Sequence, residues 1–292
     1  MTDSRVAISN RYDFVFLFDV ENGNPNGDPD ADNAPRQDAD TGRGYITDVC
    51  IKSKIRNYVS IVKDGVKGLN ILVRPDRSLN AKFRDAYEAE GLPLDKTKKG
   101  TNPQFEAAGR DYMCRNYYDV RMFGAVMTTG TNSCGIVRGP VQINFANSVS
   151  PIFPEEVTIT RQARTSEERR QSGDTEMGRK HIVPYGLYRA EGYVSAALAQ
   201  NSPLVTDEDI DLLWEAIKGM FELDHSASRG KMCVRKLFVF KHDSILGNAH
   251  SHELFDKIHV TEKEGVEVPR AFSDYDVTID EDIPEGVELI VM

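Results

Sequence analysis

The first concentrated apolar run, YDFVFLFDV from Tyr12, has the aromatic and β-branched composition of a buried strand, with Phe14, Val15, Phe16, Leu17 and Phe18 in succession. The loop ENGNPNGDPDADNAPRQDADTGRGY follows. Pro25, Pro29 and Pro35 remove amide donors from it, and Gly23, Gly27, Gly42 and Gly44 permit positive φ, so regular structure is not expected there. The period then becomes helical. Thr47 or Asp48 caps a helix on which Ile51, Ile55, Tyr58, Val59 and Val62 share one face, and Lys52 and Arg56 lie one turn apart beside that face.

Leu69 to Val73 reads as a short strand ended by Pro75. Helical spacing returns at Leu79, Phe83, Ala86 and Tyr87 and again at Phe105, Ala108, Tyr112 and Cys114, with a polar stretch holding Lys96, Lys98 and Lys99 between them. Residues 74–116 are therefore expected to form a helical insertion. A strand is predicted from about Pro140 to Ala146 with Val141, Ile143 and Phe145 on one side, and Val157 and Ile159 read as the end of another core strand. Tyr188, Ala190, Gly192 and Val194 alternate in a further strand. Thr206 and Asp209 then open a helix whose Ile210, Leu213, Trp214, Ile217 and Phe221 put Trp214 in the core. Strand character resumes at Cys233–Phe238, and the runs YDVTI and VELIVM close the chain as peripheral strands.

Between Ile159 and Met177 the pattern almost stops, because large apolar side chains are nearly absent. Such a stretch cannot line a globular interior. It carries Arg161, Arg164, Arg169 and Arg170, followed by Arg179, Lys180 and His181. It reads either as a solvated loop or as an arm that orders on an anionic polymer, and its span is set at 161–181.

The order of strand, helix, strand, insertion, strand, arm, strand, helix and strand is close to β-α-β-β-α-β. The expected class is α+β: a modified ferredoxin-like or RNA-recognition palm with a helical insertion and a projecting thumb, in one elaborated domain over 1–292. In that plan two helices cover one face of the sheet and the other face stays available, as in domains that hold single-stranded RNA.

Composition is ordinary for a soluble globular protein: 40% hydrophobic and 28% charged over 292 residues. No apolar run is long enough to span a bilayer, and the four cysteines are dispersed, so a cytoplasmic protein with free thiols and no membrane partner is expected. The absence of CxxC and HExxH spacing, and the unmatched spacing of His250, His252 and His259, lead to no expected metal or cofactor. The net charge of −10 argues against indiscriminate coating of nucleic acid, yet the basic run in the arm leaves local binding open.

Asn22, Asn24 and Asn26 at the exit of the first strand are placed to position a phosphodiester backbone, or simply to make Asx turns. Arg36, Arg43, Lys52 and Arg56 strengthen the phosphate reading, and Arg121 and Arg138 are further candidates, Arg121 also being a candidate partner for an acid. Asp28, Asp30, Asp32, Asp38 and Asp40 oppose it. Asp32 is the position for a nuclease reading, as general base or metal ligand. The loop Ser226–Lys231 is a generic phosphate candidate. Met177, the large apolar residue of a polar arm, is the candidate for packing against bases.

The segments FDVENGNPNGDPDADNAPRQDADTGRGYITDVCIKSKIRNYV, DVRMFGAVM with GIVRGPVQI, and RTSEERRQSGDTEMGRKHIVPYGLYRAEGYVS resemble the type I-C Cascade backbone subunit of CRISPR systems, in the repeat-associated mysterious protein superfamily. The resemblance runs over essentially the whole chain. It implies a noncatalytic subunit that lines up with neighbouring copies of itself along the spacer of a CRISPR RNA, joins other Cascade subunits, and presents the guide to complementary target DNA. The thumb would cross the guide, with Met177 as the wedge. RNA contacts would come from Asn22, Asn24, Asn26, Arg43, Lys52, Arg56, Arg121, Arg138, Arg161, Arg164, Arg169, Arg170, Arg179 and Lys180. Relatives in type III assemblies cleave RNA with a loop aspartate, which keeps Asp32 in view.

Overall fold

The computed structural model describes residues 5–94, 102–161, 176–200 and 203–292. In chain order its strands are β1 (Tyr12–Gly23), β2 (Gly27–Asp28), β3 (Ala34–Pro35), β4 (Arg43–Ile46), β5 (Gly124–Met127), β6 (Gly135–Arg138), β7 (Val141–Ile143), β8 (Ala146–Pro151), β9 (Glu155–Arg161), β10 (Glu176–Val194), β11 (Lys231–His242), β12 (Ile258–Glu262), β13 (Tyr275–Ile279) and β14 (Val287–Val291). The helices are α1 (Asp48–Val62), α2 (Leu79–Ala89), α3 (Pro103–Asn116), α4 (Tyr118–Phe123), α5 (Asp207–Gly219) and α6 (Ser251–Phe255).

The main sheet runs β14-β11-β1-β10-β8-β4, with β7 also on β10, and β1 is antiparallel to both of its neighbours. Alternation along a strand sends Phe14, Phe16 and Phe18 to one face and Val15 and Leu17 to the other, and all five are fully buried. That is why the run reads as continuous rather than alternating. On the first face, Phe14, Phe16, Phe18 and Tyr188 form a stacked row with ring centroids 5.6–6.4 Å apart, and Trp214 of α5 meets Phe14 edge-on at 5.1 Å. Gly192 is required beside Phe14, since a Cβ there would lie 2.2 Å from the ring. Thr47 caps α1 by accepting from the Cys50 amide, Thr206 and Asp209 form a capping box on α5, and Ile51, Ile55 and Val59 bury the inner stripe of α1.

The second face of the sheet is closed, against expectation. Val15, Leu17, Tyr185, Leu187, Phe238 and Phe240 pack under Leu254, Phe255, Ile258 and Tyr275, contributed by the segment after β11. His242 fastens this cover. Its Nδ1 accepts from the Asn248 amide at 2.9 Å, so Nε2 carries the proton and donates to Asp13 at 2.8 Å; Asp13 also receives Ser251 Oγ and Arg11. His250, His252 and His259 are exposed. Residues 243–292 hold 13 of the 46 acids and 3 of the 36 basic residues, so the whole net charge of −10 sits in this segment and the remaining chain is balanced.

The insertion has its own small core of Leu72, Phe83, Tyr87, Met113, Val120 and Met127. Its helices α2 and α3 fall within the expected span, and α4 with the β5–β6 hairpin extends the same core to Arg138. Leu69–Val73 is not a strand. The Leu72 and Val73 amides donate to the Asp119 carboxylate instead of to a neighbouring strand. Phe145 also departs from expectation: β7 stops at Ile143 and the chain turns before β8, which leaves Phe145 49% exposed. Val157 and Ile159 do not end a core strand either, being 38% and 51% exposed in β9. Among the described residues no helix is long and apolar enough to cross a membrane.

Candidate nucleic-acid interface

At the end of β1 the chain enters the loop 22–42, and two different elements hold that loop in place. The Asn24 amide donates to the Ser228 carbonyl at 2.8 Å, and the Arg229 guanidinium donates to the carbonyls of Asn24 and Pro25. Gly23 makes this approach possible, because a Cβ would stand 1.9 Å from the Arg229 carbonyl oxygen. Asn24 Nδ2 donates to the Asn33 carbonyl at 2.7 Å, pulling the loop back on itself. Asn26 Oδ1 accepts from both the amide and the hydroxyl of Thr47, tying the loop to the capping residue of α1. Asn24 and Asn26 are thus braces. Asn22, in the left-handed region at φ 53° and exposed, makes no side-chain hydrogen bond among the described residues.

β9 and the first half of β10 form a two-stranded ribbon beside this loop, paired from Glu155–Ile182 to Arg161–Glu176. The ribbon therefore begins at Glu155, ahead of the expected start at 161. Directly opposed residues share a face in an antiparallel pair. Met177 stands opposite Thr160, with Arg179 two residues along the same face, whereas Ile159 and Val157 share the other face with Gly178 and Lys180. Met177 is 74% exposed. Arg179 is exposed and paired with Glu156 at 3.2 Å, and Lys180 is half-buried with no ion pair among the described residues. Arg161 closes the described ribbon at the backbone level; Arg164, Arg169 and Arg170 lie outside the described residues. The loop meets the ribbon where His181 Nε2 comes within 3.9 Å of Asp32, itself exposed and in the left-handed region.

The basic residues of α1 are occupied. Lys52 pairs with Asp48 at 2.9 Å and Arg56 with Asp119 at 3.0 Å, and both cations sit over the Phe123 ring, 5.8 and 5.4 Å from its centroid. They join α1 to the insertion, and their side chains are largely covered. Arg121 is corrected outright as an RNA contact. It is buried, with Nε and a terminal nitrogen on the two Asp209 oxygens at 2.9 and 2.6 Å and the other terminal nitrogen on the Gly68 carbonyl at 2.6 Å. A guanidinium closed on a carboxylate inside the core is not placed to reach a phosphate, and the alternative of an acid partner holds. Arg138 is exposed on the β5–β6 hairpin, next to the exposed pair Val126 and Ile136. Arg36 reaches Asp28 at 3.4 Å, whereas Arg43, exposed at the far end of the loop, has no acid partner among the described residues.

The loop acids serve its turns. Asp28 and Asp38 accept from the amides of Asp30 and Asp40, and the Thr41 hydroxyl and the Asp40 amide hold Asp38 below the usual carboxylate range. Among the described residues no group of three or more His, Cys, Asp and Glu side chains is placed to hold a metal ion. What the arrangement offers is a rigid loop edge with an open cation and amide, beside a ribbon carrying Met177, Arg179 and Lys180. Sequence reading missed Arg229 as the brace of the loop and carried the strand through Phe145 to Ala146; the polar neighbour Asn144 was the available signal for the break.

Comparison with known proteins adds the family. A model described as CRISPR-associated protein Cas7 matches residues 10–280. The CRISPR-associated protein Cas7 of Haloferax volcanii is 27% identical over 263 residues, covering 82% of this chain and 72% of that protein. Two solved chains, from a CRISPR RNA-guided surveillance complex in a pre-nicking state and from a CRISPR RNA-guided surveillance complex, superpose with TM-scores of 0.45 and 0.44 at 13% and 11% identity. They cover 79% of this chain and 78% and 68% of their own lengths.

Proposed function

The chain belongs to the Cas7 family of CRISPR-associated proteins, and from that premise we propose that it is a noncatalytic, cytoplasmic backbone subunit of a type I-C Cascade. In this reading it binds the spacer of a CRISPR RNA, lines up with further copies of itself and with other subunits, and presents the guide to complementary DNA. The observation that carries the reading is the loop 22–42, braced by Arg229 and Thr47 against a fixed core and set beside the protruding ribbon of β9 and β10. The sheet order β11-β1-β10-β7, with α1 and α5 on one face, supports the ferredoxin-like palm, and the ribbon supports the thumb.

Asn22, Arg43, Arg179 and Lys180 are the proposed backbone contacts at described positions, with Arg138 as an outlying one. Lys52 and Arg56 retain at most their long-range field. Arg161, Arg164, Arg169 and Arg170 are proposed on the thumb, and Met177 as its wedge. Phosphate contacts carry affinity without reading sequence, and a balanced body with its negative charge confined to 243–292 fits selective rather than indiscriminate polyanion binding. Purification from a host expressing a CRISPR RNA, followed by extraction of the bound nucleic acid, tests the reading. Guide RNA with several protein copies per molecule is expected, together with binding that weakens steeply with salt. Recovery of the protein free of RNA, or of a ribonuclease-resistant oligomer of another kind, would overturn it. The competing nuclease reading rests on Asp32 near His181; metal-dependent RNA cleavage abolished by Asp32→Ala would establish it in place of the noncatalytic one.

A further inference from the structure

On the sheet face opposite α1 and α5, where the cover of residues 243–286 ends, a cleft of ≈330 Å³ opens between the β8 and β4 edge and the β12 strand. Three observations make it more than leftover surface. First, Phe145 stands at its mouth with half of its surface exposed, stacked on Tyr45 with ring centroids 6.2 Å apart and planes 6° from parallel. A single exposed aromatic is unremarkable, but two stacked rings form a stiff platform with one open face. Second, the charges are uneven. Arg189 in the floor is fully used, donating to Glu191 at 3.1 Å and to the Phe255 and Ile258 carbonyls at 2.7 Å each, whereas Arg43 has no acid partner among the described residues. Among the described residues the cleft therefore holds one unpaired positive charge, on the edge strand β4. Third, free amide groups line it. Asn144 donates to the Tyr193 hydroxyl at 3.0 Å and keeps its oxygen, and the exposed Asn147 side chain makes no hydrogen bond among the described residues.

A flat π surface, open amide donors and acceptors, and one cation at the rim match the face of a base, its hydrogen-bonding edge and the phosphate of a nucleotide. A simple anion would leave the aromatic platform unused, and an apolar peptide would leave Arg43 and the amides without a purpose. Arg43 also ends the loop that starts at Asn22, so the cleft continues the proposed RNA edge around the side of the sheet. We propose that this cleft seats one unpaired nucleotide of the bound single strand, its base stacked on Phe145, its edge toward Asn147 and its phosphate on Arg43. The proposal rests on the RNA-binding function above and adds a base-holding site that is separate from the ribbon.

The test uses the purified full chain and a single-stranded RNA carrying a fluorescent adenine analogue whose emission is quenched by stacking. Wild-type protein is expected to quench the analogue at one or more positions. Phe145→Ala should remove that quenching and weaken binding about five- to a hundred-fold, Phe145→Trp should restore both, and Arg43→Gln should lower the salt slope by about one while Arg43→Lys keeps it. Because Phe145 and Arg43 are exposed, circular dichroism should show the variants folded. RNA binding by wild type with quenching and affinity unchanged in Phe145→Ala overturns the site and leaves the RNA function standing. Absence of RNA binding by wild type overturns both. Saturable quenching by a free mononucleotide analogue that the RNA strand does not displace would likewise reject a strand-binding site.

Discussion

Replacing Arg121 by Met separates the sequence reading of this residue from the structural one. The side chain makes two bonds to Asp209 and one to the Gly68 carbonyl, lies 5.3 Å from the Tyr118 ring centroid, and is 2% exposed. Met fills a similar volume but leaves the Asp209 carboxylate buried and without its cation, and removing one partner of a buried pair costs about 3–5 kcal/mol. Against a total of about 5–15 kcal/mol for a domain, that is a large share. Trp214 lies on α5 together with Asp209 and is the chain's single tryptophan, so urea unfolding followed by its fluorescence reads the affected element directly. With a slope of about 2–3 kcal/mol per molar, the midpoint should fall by about 1–2 M. Asp209→Asn in the Arg121→Met background removes the stranded charge and keeps an oxygen for the Thr206 amide, so the double variant should recover more than half of the loss. Guide binding per folded molecule should keep its salt slope. A stability loss under about 1 kcal/mol, or a slope reduced by about one in the folded variant, would refute the argument.

Other outcomes follow from the same contacts. Asn26→Ala withdraws the acceptor shared by the Thr47 amide and hydroxyl and should cost about 1–3 kcal/mol in urea unfolding; a neutral result would return Asn26 to the list of free RNA ligands. Gly192→Ala drives a methyl into Phe14 and should cost about 1–3 kcal/mol, seen as a lowered thermal midpoint, with Phe14→Leu giving partial relief. Burial, then Asp207, Asp211 and Glu288, push the Tyr12 hydroxyl up from 10.0 to about 12. The unfolded chain releases this proton first, so the contribution is fully present below pH 10 and is lost as pH rises toward 12; Tyr12→Phe should flatten the fall in urea midpoint across that window, and an unchanged fall would assign it elsewhere. Met177→Ala should change the chemical accessibility of guide bases more than the amount of RNA retained, because Met177 is exposed on the ribbon and makes no core contact to lose; unchanged accessibility would remove it as the wedge.

Local pattern carried most of the framework. β1, α1 and α5 lie where apolar spacing and caps put them, since Phe14–Phe18, Thr47 and the Thr206–Asp209 pair satisfy requirements written in neighbouring residues. The described end of the β9–β10 ribbon fits the same logic, since Ile159 and Met177 there are exposed and line no core.

What sequence could not decide was where each polar group finds its partner. Arg121 and Arg43 look alike in the chain, yet one closes on Asp209 across 88 positions and the other stays open at a sheet edge. Asn22 and Asn26 differ in the same way, because Thr47 happens to fold against the second. The closing of the second sheet face depended on packing of the terminal segment, whose pattern predicted only short peripheral strands. Local propensity and burial are properties of a few adjacent residues and survive reading in one dimension. Charge pairing, the covering of a face and the exposure of Phe145 depend on residues brought together from distant parts of the chain, and only the tertiary structure settles them.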